Sequence, residues 1–104
     1  MPSQEFPVIN NEAEGRFEVQ LGDEVAYAEY RVLSNGILFP HTEVPPAFEG
    51  KGVASLLVRT ALAWARERGA LVMPVCPFFA AYISKHAEFH DLVHPHYRAA
   101  LGIG

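Results

Sequence analysis

The hydrophobic repeat of this chain changes period once, and that change limits the architecture more than any other feature. From Arg16 the apolar residues alternate. Phe17, Val19 and Leu21 fall on one face and Arg16, Glu18 and Gln20 on the other, as on a half-buried strand. After Pro45-Pro46 the spacing becomes helical, with Val53, Leu57, Ala61 and Trp64 on one face and Lys51, Ser55, Arg59 and Arg66 on another. Strands first and helices second make an α+β chain. The expected fold is a mixed, mostly antiparallel sheet with two helices, built by one domain over residues 16–104 behind a flexible arm over residues 1–15.

The turn residues order these elements. Gly22-Asp23 offers a two-residue hairpin turn, and a second strand follows from Glu24 to Leu33. Asn35-Gly36 closes a second hairpin, since both residues tolerate a left-handed backbone. A third strand runs from Ile37 to about Val44 and is irregular near Pro40 and His41, because proline cannot donate to a ladder. Gly69 ends the first helix, and Ala70 to Val75 is an apolar run of strand length. A right-handed crossover would set that run parallel to the third strand. Pro77 suits the first position of a second helix reaching about His86. Leu56, Leu57, Trp64 and Phe78 are assigned to the core, and the tail from Glu88 shows no clear period.

Charge and cysteine usage remove several functions. The 104 residues carry 8 Lys+Arg against 12 Asp+Glu, a net charge of −4, which argues against a nucleic-acid binder. One cysteine excludes an internal disulfide and a Cys-rich zinc site. No apolar run approaches the roughly 20 residues a membrane helix needs. The start Met1-Pro2-Ser3-Gln4-Glu5 does not have the pattern of a signal peptide, so a cytoplasmic location is expected. His86, His90, His94 and His96 have the spacing of metal ligands, but Pro95 interrupts the helix that would align them, and no metal site is expected.

The most informative stretch is Val44 to Ala54, which contains Gly50-Lys51-Gly52-Val53-Ala54 between a strand and a helix. Two glycines and a small alanine let the backbone turn tightly and leave the first helical amides open, where the dipole favours an anion such as a diphosphate. It is not a Walker loop, which needs Lys followed by Ser or Thr, nor a dinucleotide fingerprint, which needs a third glycine and a downstream acid. The plain alternative is a tight turn with close packing. Cys76 lies at the end of the last strand, directly before Pro77. If Pro77 is the first helical residue, Cys76 caps that helix and its sulfur feels the positive end of the dipole. The plain alternative is a buried structural cysteine. His41 is a candidate base for an amine nucleophile, facing the cleft expected beside the third strand, and Glu43 on the same face is a second.

These motifs occur in an order that resembles a known family. Gly50-Lys51-Gly52-Val53-Ala54 is similar to the acyl-CoA motif R/Q-x-x-G-x-G/A of the GNAT N-acetyltransferase superfamily. His41-Thr42-Glu43-Val44-Pro45, Pro74-Val75-Cys76-Pro77-Phe78 and Tyr82-Ile83-Ser84-Lys85-His86 extend the resemblance to its minimal, GNAT-like branch, from about Glu12 to Val93. The resemblance implies an acetyl-CoA site. In it the strand of Thr42 and Val44 bonds the pantetheine arm, and the amides of Gly50, Lys51, Gly52, Val53 and Ala54 hold the pyrophosphate. Tyr82, one turn from Phe78, is most simply a core residue, with reach to the thioester as the alternative. The resemblance also places Cys76 beside the acetyl group, as nucleophile or as the acid for the departing CoA sulfur. The sequence departs from the pattern at Glu49, where Arg or Gln often stands, and at Ala87, where Pro is expected. The function implied is acetyl transfer from acetyl-CoA to an amine acceptor (a protein Lys or a small amine), by a monomer or weak dimer. The alternative is a CoA-binding or acyl-carrying module without turnover.

Overall fold

A computed structural model of the protein describes residues 6–103. Met1–Glu5 and Gly104 lie outside the described residues, and with them the first part of the expected arm and the last residue of the expected domain.

Alternation builds the first hairpin. Phe17 and Val19 of β2 (Arg16–Leu21) stand directly opposite Ala28 and Ala26 of β3 (Glu24–Glu29), and all four are buried. Directly opposed residues share a face, so this pairing creates one apolar surface. β1 (Ile9–Asn11) adds antiparallel outside β2. The later part of the stretch read as a flexible arm therefore carries a paired edge strand. Three residues, of which only Ile9 is apolar, give no readable period.

The strand expected to run unbroken from Glu24 to Leu33 divides at Tyr30. β4 (Arg31–Leu33) leaves β3 and pairs antiparallel with β5 (Gly36–Leu38). Tyr30 holds the corner: its amide donates to Gly15 O, its hydroxyl donates to Asn10 Oδ1 at 2.6 Å, and its ring packs 4.5 Å from that of Trp64. Leu33 pairs with Gly36, so the second hairpin turns on Ser34-Asn35, one residue earlier than expected. Asn35 does not take the left-handed conformation; among the described residues only glycines have positive φ.

The third strand is interrupted where proline predicted it. β6 (Thr42–Glu43) resumes after Phe39-Pro40-His41, but pairs antiparallel with β3 rather than following β5. β5 instead lies parallel to β7 (Val72–Met73), the relation expected of a strand–helix–strand crossover. The result is α+β and mostly antiparallel, in two sheets ordered β1-β2-β3-β6 and β4-β5-β7 rather than one.

Helix α1 (Val53–Glu67) buries Val53, Leu57, Val58, Ala61, Leu62 and Ala65 along one stripe. Each of its large aliphatic side chains contributes roughly 1.5–3 kcal/mol on burial. The helix stops at Gly69, where Gly69 N donates to Arg66 O and Ala70 N to Ala65 O, the paired bonds of a Schellman cap. Helix α2 (Pro77–Lys85) starts on proline, ends one residue short of His86, and buries Phe79 and Ile83. Phe79 stacks on Phe39 with ring centroids 4.5 Å apart. Leu56 and Trp64, assigned to the core from sequence, are only half-buried at its margin.

The tail forms a 3-10 stretch (Ala87–Leu92) and a one-turn helix, α3 (Pro95–Arg98), a third helix beyond the two expected. Val93 makes a parallel bridge to Val72, and Arg66 of α1 donates to both carboxylate oxygens of Asp91 at 2.9 and 3.1 Å and to Glu88 O at 2.7 Å. No helix among the described residues is long and apolar enough to cross a membrane.

Candidate active site

Two prolines open the site. In the β5–β7 register, Ile37 faces Val72 and Leu38 faces Met73, so the next rungs would set Phe39 against Pro74 and Pro40 against Val75. Neither proline has an N–H to give to a ladder. Phe39 N still reaches Met73 O at 3.1 Å, and Cys76 N reaches Phe39 O at 2.8 Å, but Val75 N turns back to Met73 O in a tight three-residue turn. Beyond that point the chain of β6 leans toward β3 while Pro74–Cys76 bends into α2. β3 is the only strand neighbour of β6 among the described residues. Its far edge, toward the Pro74–Cys76 turn, therefore presents unpaired backbone groups.

Cys76 stands at the apex of this wedge, 4% exposed, as the N-cap residue of α2 with Pro77 in the first helical position. Its backbone is fixed on both sides, since its amide donates to Phe39 O and its carbonyl accepts from Ala80 N. Its sulfur lies 3.4 Å from Thr42 Oγ1. Thr42 is thereby turned toward the thiol, on the face where its cross-strand partner Ala28 is buried.

His41 and Glu43 are brought together, Nε2 to Oε1 at 3.1 Å, but not beside Cys76. Alternation along the strand sends them to the face opposite Thr42, where Glu43 opposes Tyr27 and the His41 ring lies edge-on to the Tyr27 ring. About half of each side chain is exposed. Arg16 sits over the same Tyr27 ring at 4.3 Å and donates to Glu18. That hydrogen bond, with one from Asn11, holds the Glu18 carboxyl below its ordinary value.

The glycine loop has open amides. Gly50 and Gly52 take φ of 76° and 72°, the left-handed region that glycine enters without cost. Gly52 caps α1, and no side chain supplies a capping bond. The first intrahelical bond is Leu56 N to Gly52 O, so the amides of Val53, Ala54 and Ser55 stand ahead of it with no carbonyl one turn back. Lys51 departs from expectation: its amide donates to Phe48 O inside the turn.

A groove of about 320 Å³ runs from this helix end between α1 and α2, lined by Ser55, Arg59, Phe78, Tyr82, Lys85 and His86. Its lining takes Ser55 from the first turn of α1 and runs along α2 from Phe78 in its first turn to Lys85 in its last. Phe78, expected in the core, is 39% exposed in this groove. Tyr82 stacks on His86 at 3.9 Å and forms an aromatic wall. Arg59 and Lys85 have no sequence motif in common and meet only because the two helices pack together. Arrangements of this kind suit an elongated ligand with phosphates at one end and a polar stem that can lie along a strand edge.

The tail histidines have other work. His86 Nδ1–H donates to Tyr82 O, His90 Nε2–H donates to Ile83 O, and His94 accepts from His96 N. Among the described residues no group of His, Cys, Asp and Glu is placed to hold a metal ion.

Comparison with known proteins places the family and the fold. The profile of the GCN5-related N-acetyl-transferase family matches residues 16–92. The solution structure of a GCN5-like protein from Staphylococcus aureus is similar in fold, with a TM-score of 0.68 and 23% identity over 86% of this chain and 88% of that one. No curated protein sequence matches significantly.

Proposed function

The chain belongs to the GCN5-related N-acetyltransferase family, and on that premise we propose that it transfers acetyl from acetyl-CoA to an amine. The observation that carries this reading is the wedge between β6 and the Pro74–Cys76 turn, with a thiol at its apex and uncapped helix amides nearby. In this reading the amides of Gly52, Val53, Ala54 and Ser55 receive the pyrophosphate. Arg59 and Lys85 supply positive charge along the groove, and the free edge of β6 at Thr42 and Val44 bonds the amides of the pantetheine arm as a strand would.

Transfer forms one C–N bond and breaks the C–S bond to CoA, while the amine gives up a proton and the CoA sulfur ends protonated. Cys76 serves this exchange in one of two ways. As a nucleophile it takes the acetyl group, exchanging one thioester for another, and then yields it to the amine. As an acid it protonates the departing sulfur. Rapid quenching followed by mass measurement separates them, because only the first leaves acetyl on Cys76. The His41–Glu43 pair lies on the face of the strand opposite Cys76, out of reach of an amine attacking there, so the amine's proton passes to the Cys76 thiolate or to solvent.

Calorimetric titration with acetyl-CoA, CoA and ADP, followed by a panel of amines, tests the proposal. Binding of all three at one site, with CoA released faster when an amine is added, supports it. Binding without amine-dependent release would make the protein an acyl carrier, and no binding would overturn both readings.

A further inference from the structure

We propose that Thr42 is a positioning residue for the Cys76 thiol: its hydroxyl aims the sulfur and donates a hydrogen bond to it whenever it carries negative charge. The inference rests on the acetyl-transfer reading for its purpose, but not for its geometry. Cys76 is the N-cap residue of α2, yet its sulfur makes no capping bond to that helix. The backbone on either side is fixed by Phe39 O and Ala80 N, which leaves the side-chain rotamer as the remaining freedom. The polar atom that meets the sulfur is Thr42 Oγ1 at 3.4 Å.

Thr42 is well suited to fix that rotamer. It sits in β6, whose pairing with β3 sets its backbone, and a β-branched side chain on a strand has restricted χ1. Its oxygen is thus delivered to one place at little entropic cost. The contact joins the two strands where the prolines have ended the ladder, so a side chain spans the gap that the backbone leaves. The inference holds for both roles of Cys76. A nucleophilic thiolate is an anion before attack, and an acid becomes one after giving up its proton. In each case the hydroxyl hydrogen points at the sulfur when charge is present, and the oxygen accepts from S–H when it is not.

The test compares wild type with Thr42→Val, which keeps the shape and removes the hydroxyl, and Thr42→Ser, which keeps the hydroxyl. Two readouts are taken at one pH. The first is acetyl transfer, with acetyl-CoA affinity measured separately. The second is the rate at which iodoacetamide alkylates the thiol, which needs no acetyl-CoA and reports on Cys76 alone, the one cysteine in the chain. Thr42→Val is expected to lower kcat about tenfold or more, the factor that goes with losing a hydrogen bond to a charged atom, and to lower acetyl-CoA affinity by less than that, since the pantetheine arm bonds the Thr42 backbone and not its hydroxyl. It is also expected to slow alkylation, since a donor that stabilises the anion raises its share more than it blunts its nucleophilicity. Thr42→Ser is expected to restore both. Impairment in Thr42→Ser with wild-type behaviour in Thr42→Val would mean that methyl packing matters and not the hydroxyl, and would overturn the proposal. So would wild-type alkylation in Thr42→Val. If wild type transfers no acetyl group at all, the functional reading fails, and alkylation alone still decides the role of Thr42.

Discussion

At the scale of single residues, the decisive position is Cys76. Its 4% exposure and its place on the core side of the wedge suit a group that reacts with a buried thioester as well as they suit a packed side chain. Cys76→Ala separates these roles. Transfer is expected to fall at least about 100-fold, the scale of a lost acid or nucleophile, while calorimetry shows acetyl-CoA binding retained. Turnover at the wild-type rate would assign the thiol to packing. The candidates Cys76, His41, Glu43 and Thr42 were all legible in the sequence, because short motifs carry them. Their distribution over two faces of the strand was legible only in part. Period two sets Thr42 against His41 and Glu43, but nothing in the sequence says which of the two faces meets Cys76, which lies 34 residues further along the chain.

At the scale of elements, α1 shows how a helix can begin without a conventional cap. A Ser, Thr, Asp or Asn at the N-cap would occupy amides that here stay open, and Gly52 occupies none. Gly52→Ala is a sharp test of that use. The added Cβ would find no atom within 4 Å, so the free protein suffers only the left-handed backbone, roughly 1–2 kcal/mol, seen as a drop of several degrees in Tm. Acetyl-CoA affinity is expected to fall by more than that strain explains, because the methyl group stands beside the anion site. An unchanged affinity in the folded variant would place the pyrophosphate elsewhere. The same elements show what local sequence encodes. Gly22-Asp23, Pro40, Gly69 and Pro77 were read correctly because each acts through its own backbone. The corner at Tyr30 was not, because alternation continues unbroken through it and the change of partner is imposed from outside by Trp64, Gly15 and Asn10. The place of Arg59 in the groove was not legible for the same reason, since that groove exists only between two packed helices.

At the scale of the whole molecule, one charged contact ties the tail to α1 and another lies along β2. Arg66 lowers the Asp91 carboxyl by direct hydrogen bonding, and Arg16 does the same to Glu18. A carboxylate held below its ordinary value contributes stability that is present above that value and lost as pH falls through the folded one. The ordinary values are 3.8 for Asp91 and 4.5 for Glu18. Thermal stability is therefore expected to decline as pH drops below 4.5, as melting curves taken between neutrality and pH 3 would show. Arg66→Gln should remove the Asp91 share of that decline; an identical acid profile in the variant would show that the tail is held by packing alone. Because Arg66 and Asp91 are largely exposed, added salt should weaken the contribution as well.

The paired prolines also govern how quickly the wedge can be filled. Since rings at positions 40 and 74 end the ladder, no ladder of backbone bonds has to unzip before a visitor enters, and the Thr42–Cys76 contact is the one side-chain tie across the gap that the structure shows among the described residues. Association should therefore proceed in a single phase, with a rate that rises in proportion to ligand concentration and no plateau set by a slow opening step. In a stopped-flow trace, a plateau would reveal a door where the chain has built only a doorway.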